Sequence, residues 1–320
     1  MYDQPTISVV VPCYNREETI DRCLQSIWSQ TIEPLEVIVV DDGSTDNSAA
    51  VAEKHHTLVR VIRQANAGAA AARNRGIAEC RGDWIAFVDS DDVWSRDKLQ
   101  KQLACLRYFA NAQLIFCDTR TIDDHGVAMP SRFALGGVRE QVGERMDSHS
   151  LMNPELFSTL LTDSRVITSA VMVKRGLPEL EFAEDIWGSE DWYLWLRLSK
   201  SYQFAMVDEV LVDMYQQGDN ISGRKGKLYR NDVEVLKRLA AEEPTGSQLQ
   251  KQLLRLVRER STGAIYFSIL AGDYHEARLL LNEGQHEISS SKQLFYRLSL
   301  SMYPRLLRRL MEKRQPSQRW

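Results

Sequence analysis

Cysteine is scarce in this sequence and poorly spaced for its structural uses. The five residues, Cys13, Cys23, Cys80, Cys105 and Cys117, are odd in number and contain no CxxC pair, so neither a disulfide framework nor a zinc site is indicated. A reducing cytoplasm is the expected home. Proline is also sparse, nine in 320 residues, against 43% hydrophobic and 26% charged residues; such a composition belongs to a folded chain rather than a disordered one. No window approaches the roughly 20 apolar residues of a membrane-spanning helix. Residues 1–5 lead straight into an apolar run, without the basic region or cleavage site of a signal peptide. A basic excess is missing as well. The net charge of −4 argues against nucleic acid as a partner, because phosphate binding relies on Lys and Arg. The charge is nevertheless uneven: residues 291–320 hold eight Lys/Arg and one Glu, a local +7, which leaves −11 for residues 1–290.

What is present is an alternation of strands and helices. The apolar runs at 7–12, 35–40, 59–62 and 84–88 read as strands, the first two and the last as strands buried on both faces. Asn15 can cap a helix running to about Ser29, and the alanine-rich stretch from Gly68 to Ala78 has the highest helix propensity in the chain. Four strands and three helices in ninety residues describe a doubly wound α/β half, whose ligands sit beyond the carboxyl ends of the strands. Those ends carry Tyr14, Asp41, Asp42 and the run Asp89-Ser90-Asp91-Asp92. A helix from about Asp97 and a strand at 114–118 follow; residues 123–150 read as a long loop, and 166–173 as renewed order. From about residue 225 the pattern is helical, with a helical hairpin turning at Gly272-Asp273. The expected division is therefore 1–222 and 223–320.

Three carboxylates among residues 89–92 repel one another, an arrangement that a hard divalent cation relieves, although capping of the next helix is an alternative. Asp41 and Asp42 precede Gly43-Ser44-Thr45-Asp46 and suit either a turn or acceptance of hydrogen bonds from a base or ribose. Tyr14 offers a ring for stacking. Arg73 suits a buried partner for the aspartates, a phosphate contact, or both. Glu190 and Asp191 open a helical segment, where acids complement the helix dipole. The six histidines lack ligand spacing and are expected at the surface; the cysteines are expected as small core fillers.

Val11-Pro12-Cys13-Tyr14-Asn15, Val40-Asp41-Asp42-Gly43-Ser44-Thr45-Asp46, the Asn-x-Gly-x-x-x-Ala-Arg-Asn-x-Gly pattern around Arg73, Phe87-Val88-Asp89-Ser90-Asp91-Asp92 and the Glu190-Asp191-Trp192 segment occur in that order. Together they resemble the family 2 glycosyltransferases of the GT-A fold across about residues 6–222. The resemblance implies an α/β GT-A mixed sheet, here with a C-terminal helical appendage. It implies a nucleotide-diphosphate sugar donor, with UDP-sugar as the default, whose nucleotide is held by Pro12, Tyr14, Asp41, Asp42, Arg73, Asp89 and Ser90. It implies Mg2+ or Mn2+ on Asp91 and Asp89, with Asp92 behind them. Asp191 is the expected general base, with Glu190 as its neighbour or an acceptor contact, and a single displacement inverts the anomeric centre. Trp187, Trp192 and Trp195 are candidates for sugar stacking, Trp195 being the one best suited to the core. Residues 215–222 lack the histidine that related sequences often carry there, so no third protein ligand is assigned. The processive Gln-x-x-Arg-Trp motif is out of register at 315–320, which favours transfer of one sugar.

The resulting expectation is an inverting, non-processive enzyme that glycosylates a glycan or lipid-linked acceptor in surface polysaccharide or lipopolysaccharide synthesis. A catalytically silent nucleotide-sugar-binding scaffold is the alternative; a nucleotidyltransferase would need a phosphate loop that is not found after the first strand. The apolar and basic mixture in 291–320 suits peripheral contact with a membrane surface or a solvated helix end.

Overall fold

The computed structural model describes residues 4–123, 125–135, 138–152, 155–162, 166–215 and 225–283, together with isolated positions and one short stretch between 292 and 311. It divides into two compact units, Met1–Gln217 and Gly218–Trp320; the boundary expected at 222 lies outside the described residues.

The first unit is built on one mixed sheet. Strands β1 (Ile7–Cys13), β2 (Glu36–Asp41) and β3 (Val59–Arg63) alternate with helices α1 (Ile20–Trp28), α2 (Ser48–His55) and α3 (Ala69–Glu79) before β4 (Trp84–Phe87). These four strands pair in parallel in the order β3-β2-β1-β4. Every residue of β1, β2 and β4 is buried, as expected for Val- and Ile-rich strands covered on both faces. The helix α3 lies tight on β1, because a Cβ on Gly76 would meet Val10 Cγ1 at 2.4 Å.

Beyond β4 come β5 (Val93–Trp94), α4 (Lys98–Tyr108), β6 (Leu114–Ile122), β7 (Val142–Met146), β8 (His149–Met152), α5 (Leu156–Thr162), β9 (Met172–Lys174), α6 (Glu190–Ser201) and β10 (Phe204–Tyr215). The sheet continues β4-β9-β6-β10-β8-β7, with β5 paired to β10. The three-residue β9 is antiparallel to both its neighbours and makes the sheet mixed. The mixed α/β sheet is the fold class expected from the sequence.

Two sequence expectations differ from the structure here. The supposed loop at 123–150 contains β7 and the start of β8; β7 is an edge strand with an exposed face, so no alternation marked it. Residues 166–173, expected as renewed order, hold a 3-10 turn, Thr168–Ala170, followed by the start of β9. His149 is buried rather than at the surface, with Nε2 3.0 Å from Lys101 O. The five cysteines are free and buried, as expected.

The second unit contains α7 (Lys225–Glu242), α8 (Gln248–Ala271) and α9 (Tyr274–Glu283). Ser247 caps α8 by accepting the Gln250 N–H, and Gly272, at φ 82°, closes it in the left-handed conformation that glycine adopts readily. The hairpin turn is where the sequence placed it. Ile265, Ile269, Ala277 and Leu281 form its core together with Leu300 and Met311. Most of residues 291–320, on which the membrane expectation rests, lies outside the described residues.

Candidate active site

The crevice beyond β1 and β2 is stitched by side chains. Asn15 is not a helix cap: α1 begins at Ile20, and Asn15 sits at φ 51°. Its Oδ1 accepts the Thr45 N–H at 2.8 Å, and its N–H donates to Ser44 Oγ at 3.0 Å. Arg16 N–H donates to Ser48 Oγ, and Glu17 Oε2 accepts both N–H and Nδ2 of Asn47. Tyr14 stands at this seam with 46% of its surface exposed, while Pro12 lies within β1 opposite Val40.

The two adjacent acids at the end of β2 differ sharply. Asp42 is a clamp on the following loop: Oδ1 accepts from Gln64 Nε2 and the Ala67 N–H, and Oδ2 from the Gly68 N–H at 2.7 Å. Asp41 Oδ1 is buried without a hydrogen-bond partner among the described residues. The acceptor capacity left for a ligand is therefore greater at Asp41. Gly43, at φ 77°, turns the chain between them and the 64–68 loop, where a Cβ would come within 2.9 Å of the Asn66 nitrogen.

The three acids beyond β4 are each offset differently. Asp89 Oδ1 accepts from Arg73 Nη2 at 2.8 Å. Asp91 Oδ2 lies 3.5 Å from Arg16 Nε, and its carbonyl accepts from Arg22 Nη2, whose guanidinium stacks 3.6 Å from the Tyr215 ring centroid. Asp92 is buried and accepts from Ser169 Oγ; burial, then Asp89 and Asp91, push its pKa well above the carboxylate range. Ser90 is buried between them. Asp89 and Asp91 offer the hard oxygens a divalent cation prefers. Among the described residues no three His, Cys, Asp or Glu side chains form a self-sufficient metal site. The two carboxylates would fit Mg2+ or Mn2+ only if further oxygens from outside this pair completed the shell.

Arg73, on α3, joins this loop to α6. Its Nη1 donates to Glu190 Oε1 at 2.8 Å while Nη2 holds Asp89. Burial opposes its charge, but Asp89 and Glu190 outweigh burial and hold Arg73 protonated above its ordinary range. Of the two roles expected for Arg73 from sequence, buried partner of acids or phosphate contact, these contacts match the first. Glu190 is itself buried, and its Oε2 has no hydrogen-bond partner among the described residues, so as placed it neighbours Asp191 and turns toward Arg73. Asp191 is half-buried: Oδ2 accepts from Thr168 Oγ1 at 2.9 Å and Oδ1 from the Trp192 N–H at 2.6 Å. Burial, reinforced by Glu190 and opposed by Arg73, Thr168 and the Trp192 N–H, raises its pKa to about 6. Such a carboxylate is a stronger base than an ordinary aspartate and is still ionised at neutral pH.

Of the three tryptophans, Trp192 donates Nε1 to Leu160 O and Trp195 is fully buried, whereas Trp187 is 46% exposed. Thr168, Ser169 and Arg16 belong to the site but were not singled out in the sequence. The first two lay in an apolar segment with no motif to mark them, and Arg16 followed the motif without a distinguishing spacing.

Residues 8–129 match the profile of Glycosyl transferase family 2. That segment, 122 of the 320 residues, carries the family's profile. Chondroitin synthase of Escherichia coli is 29% identical over 224 residues, which is 69% of this chain and 30% of that protein. Among solved structures, TarS 1–349 of S. aureus in complex with UDP-GlcNAc superposes with a TM-score of 0.63 at 17% identity, covering 98% of this chain and 93% of that one. The mannosyltransferase PcManGT of Pyrobaculum calidifontis, in complex with GDP-Man and Mn2+, gives 0.55 at 18% identity, covering 97% and 85%. At these identities the two structures speak to the fold. The chain spans about a fifth to two fifths of the length of the curated relatives it matches.

Proposed function

We propose that the first unit transfers one sugar, with inversion, from a nucleotide-diphosphate sugar to a hydroxyl of a glycan or lipid-linked acceptor. The observation that carries this reading is the placement of a raised-pKa acid, Asp191, beside the Arg73–Asp89 pair at the carboxyl edge of the sheet. A donor of the UDP class suits the crevice: Tyr14 stacks on the base, and Asp41, with Asp42 fixing the loop, accepts from it. Asp91 and Asp89 hold Mg2+ or Mn2+, which when bound stabilises the negative charge of the departing diphosphate. Asp191 takes the proton of the attacking hydroxyl on the opposite face of the sugar. Arg73 pairs with Glu190, and the nearby Glu190 raises the pKa of Asp191. The UDP-GlcNAc and GDP-Man complexes of the two structural neighbours support the donor class. Chondroitin synthase, as a relative, supports a glycan acceptor.

A panel of UDP-, dTDP- and GDP-sugars with and without Mn2+ tests the donor through thermal stabilisation. One donor should raise the melting temperature in a cation-dependent manner; no shift with any of them overturns the reading. The substitution Asp191→Asn should then lower transfer by about 10²- to 10⁴-fold with donor affinity retained. The scaffold alternative requires donor binding without transfer in the unmodified protein.

A further inference from the structure

The turn Thr168–Ala170 touches both halves of the site and is buried throughout. Thr168 Oγ1 donates to Asp191 Oδ2 at 2.9 Å. One residue on, Ser169 Oγ accepts the Asp89 N–H at 3.0 Å and donates to Asp92 Oδ2. The turn is itself anchored from three other elements. Ser169 O accepts from Trp94 Nε1 on β5, Ala170 O from Gln102 Nε2 on α4, and Val171 O from the Phe87 N–H of β4.

We propose that this turn is the spacer of the active site: Thr168 positions Asp191, Ser169 positions the 89–92 loop, and their adjacency sets the separation between the acceptor's base and the donor's diphosphate. The inference rests on the reading of Asp191 as the base. With Oδ2 tied to Thr168 and Oδ1 to the Trp192 N–H, the carboxylate cannot rotate freely, yet each oxygen keeps a second lone pair for a substrate proton. The charged groups acting on Asp191 are Glu190 on its own helix and Arg73 from α3. The Thr168 hydroxyl is the neutral donor that favours its ionised form. Ser169 makes no contact with Asp191; its two bonds hold the loop from which Asp89 and Asp91 project. Each is a positioning residue, and the two should separate kinetically.

The test uses the full chain with the stabilising sugar nucleotide, with UDP and Mn2+ as binding probes. Thr168→Val should lower kcat roughly tenfold, the scale of one lost hydrogen bond to a charged group. It should also move the acid limb of kcat/KM to higher pH, leave UDP affinity within about twofold, and be rescued in both respects by Thr168→Ser. Ser169→Ala should weaken binding of UDP with Mn2+ roughly tenfold, read by calorimetry and by the signal of free Mn2+ in electron paramagnetic resonance, without moving the acid limb. Should Thr168→Val fail to fold, Thr168→Ala makes the same deletion without the branched methyl group. The proposal is overturned if the Thr168 deletions leave rate and pH profile unchanged, or if both positions shift both readouts alike. Retained transfer in Asp191→Asn would instead remove the base assignment, and is read in a separate variant.

Discussion

Arg73 and Glu190 form a 2.8 Å ion pair with the side chains of both almost wholly removed from water. The other arm of the guanidinium holds Asp89, so one cation serves two acids from different parts of the chain. Arg73→Ala leaves these acids without their counter-charge, a loss of about 3–5 kcal/mol when a buried pair is broken on one side. Its urea midpoint should fall accordingly. Arg73→Lys, which keeps the charge but loses the fork, should lie between. A wild-type midpoint for Arg73→Ala would show that the bridge adds nothing to stability.

Lys98 is fully buried, with Nζ 2.8 Å from Gln102 Oε1 and 3.9 Å from the Trp94 ring centroid. Burial lowers its pKa from 10.5 to about 8. Between those values the unfolded chain binds a proton that the folded chain releases, so stability attributable to Lys98 rises with pH across this window. Relative to Lys98→Met, the wild type should gain about 3 kcal/mol from pH 8 to 10.5. Parallel stability curves for the two proteins would contradict the lowered pKa.

Glu36 behaves in the opposite sense at the other end of β2. Burial pushes its pKa up, but hydrogen bonds from Ser8 Oγ and from the Arg81 N–H and guanidinium outweigh burial and hold it below 4.5. Its stabilisation is therefore complete above 4.5 and is lost as the pH falls through the folded-state value. Glu36→Gln should be less stable than wild type at pH 7, and the difference should narrow on acidification, as followed by urea unfolding at pH 7, 5 and 3. Because the Arg81 side chain is 73% exposed, added salt should weaken only that arm.

Gly76 tests the packing of α3 on the sheet. Its missing Cβ would lie 2.4 Å from Val10 Cγ1, so Gly76→Ala should destabilise by about 1–3 kcal/mol despite the better helix propensity of alanine. Pairing it with Val10→Ala should recover much of the loss. An additive double mutant would show that the two sites are not in contact.

The parallel half of the fold was legible because its strands are continuous apolar runs that end in polar residues. The same property made Asp41, Asp42 and the 89–92 acids conspicuous. Their division of labour was not legible: Asp42 differs from Asp41 because backbone N–H groups at 67 and 68 reach it, and those contacts depend on a turn more than twenty residues away in the chain. Thr168 and Ser169 were hidden for a related reason. A buried Thr-Ser pair flanked by Val and Ile resembles strand, and only the bend of the 3-10 turn brings both hydroxyls to the carboxylates. Among the tryptophans, the spacing of Trp192 and Trp195 pointed one of them to the core, but both are internal; the exposed Trp187 precedes the helix and carries no periodicity.

The insertion of β9 between β4 and β6 also dictates an order of assembly during synthesis. Strands β1 to β4 can pair as soon as residue 87 has left the ribosome. The facing edges of β4 and β6 then wait for residues 172–174. During that interval the nascent chain presents open strand edges, the feature most prone to pairing with other chains. Thr168 and Ser169 emerge just ahead of the closing strand and Asp191 just behind it, so the acid proposed as the base joins the site only after the chain that closes the sheet has been made.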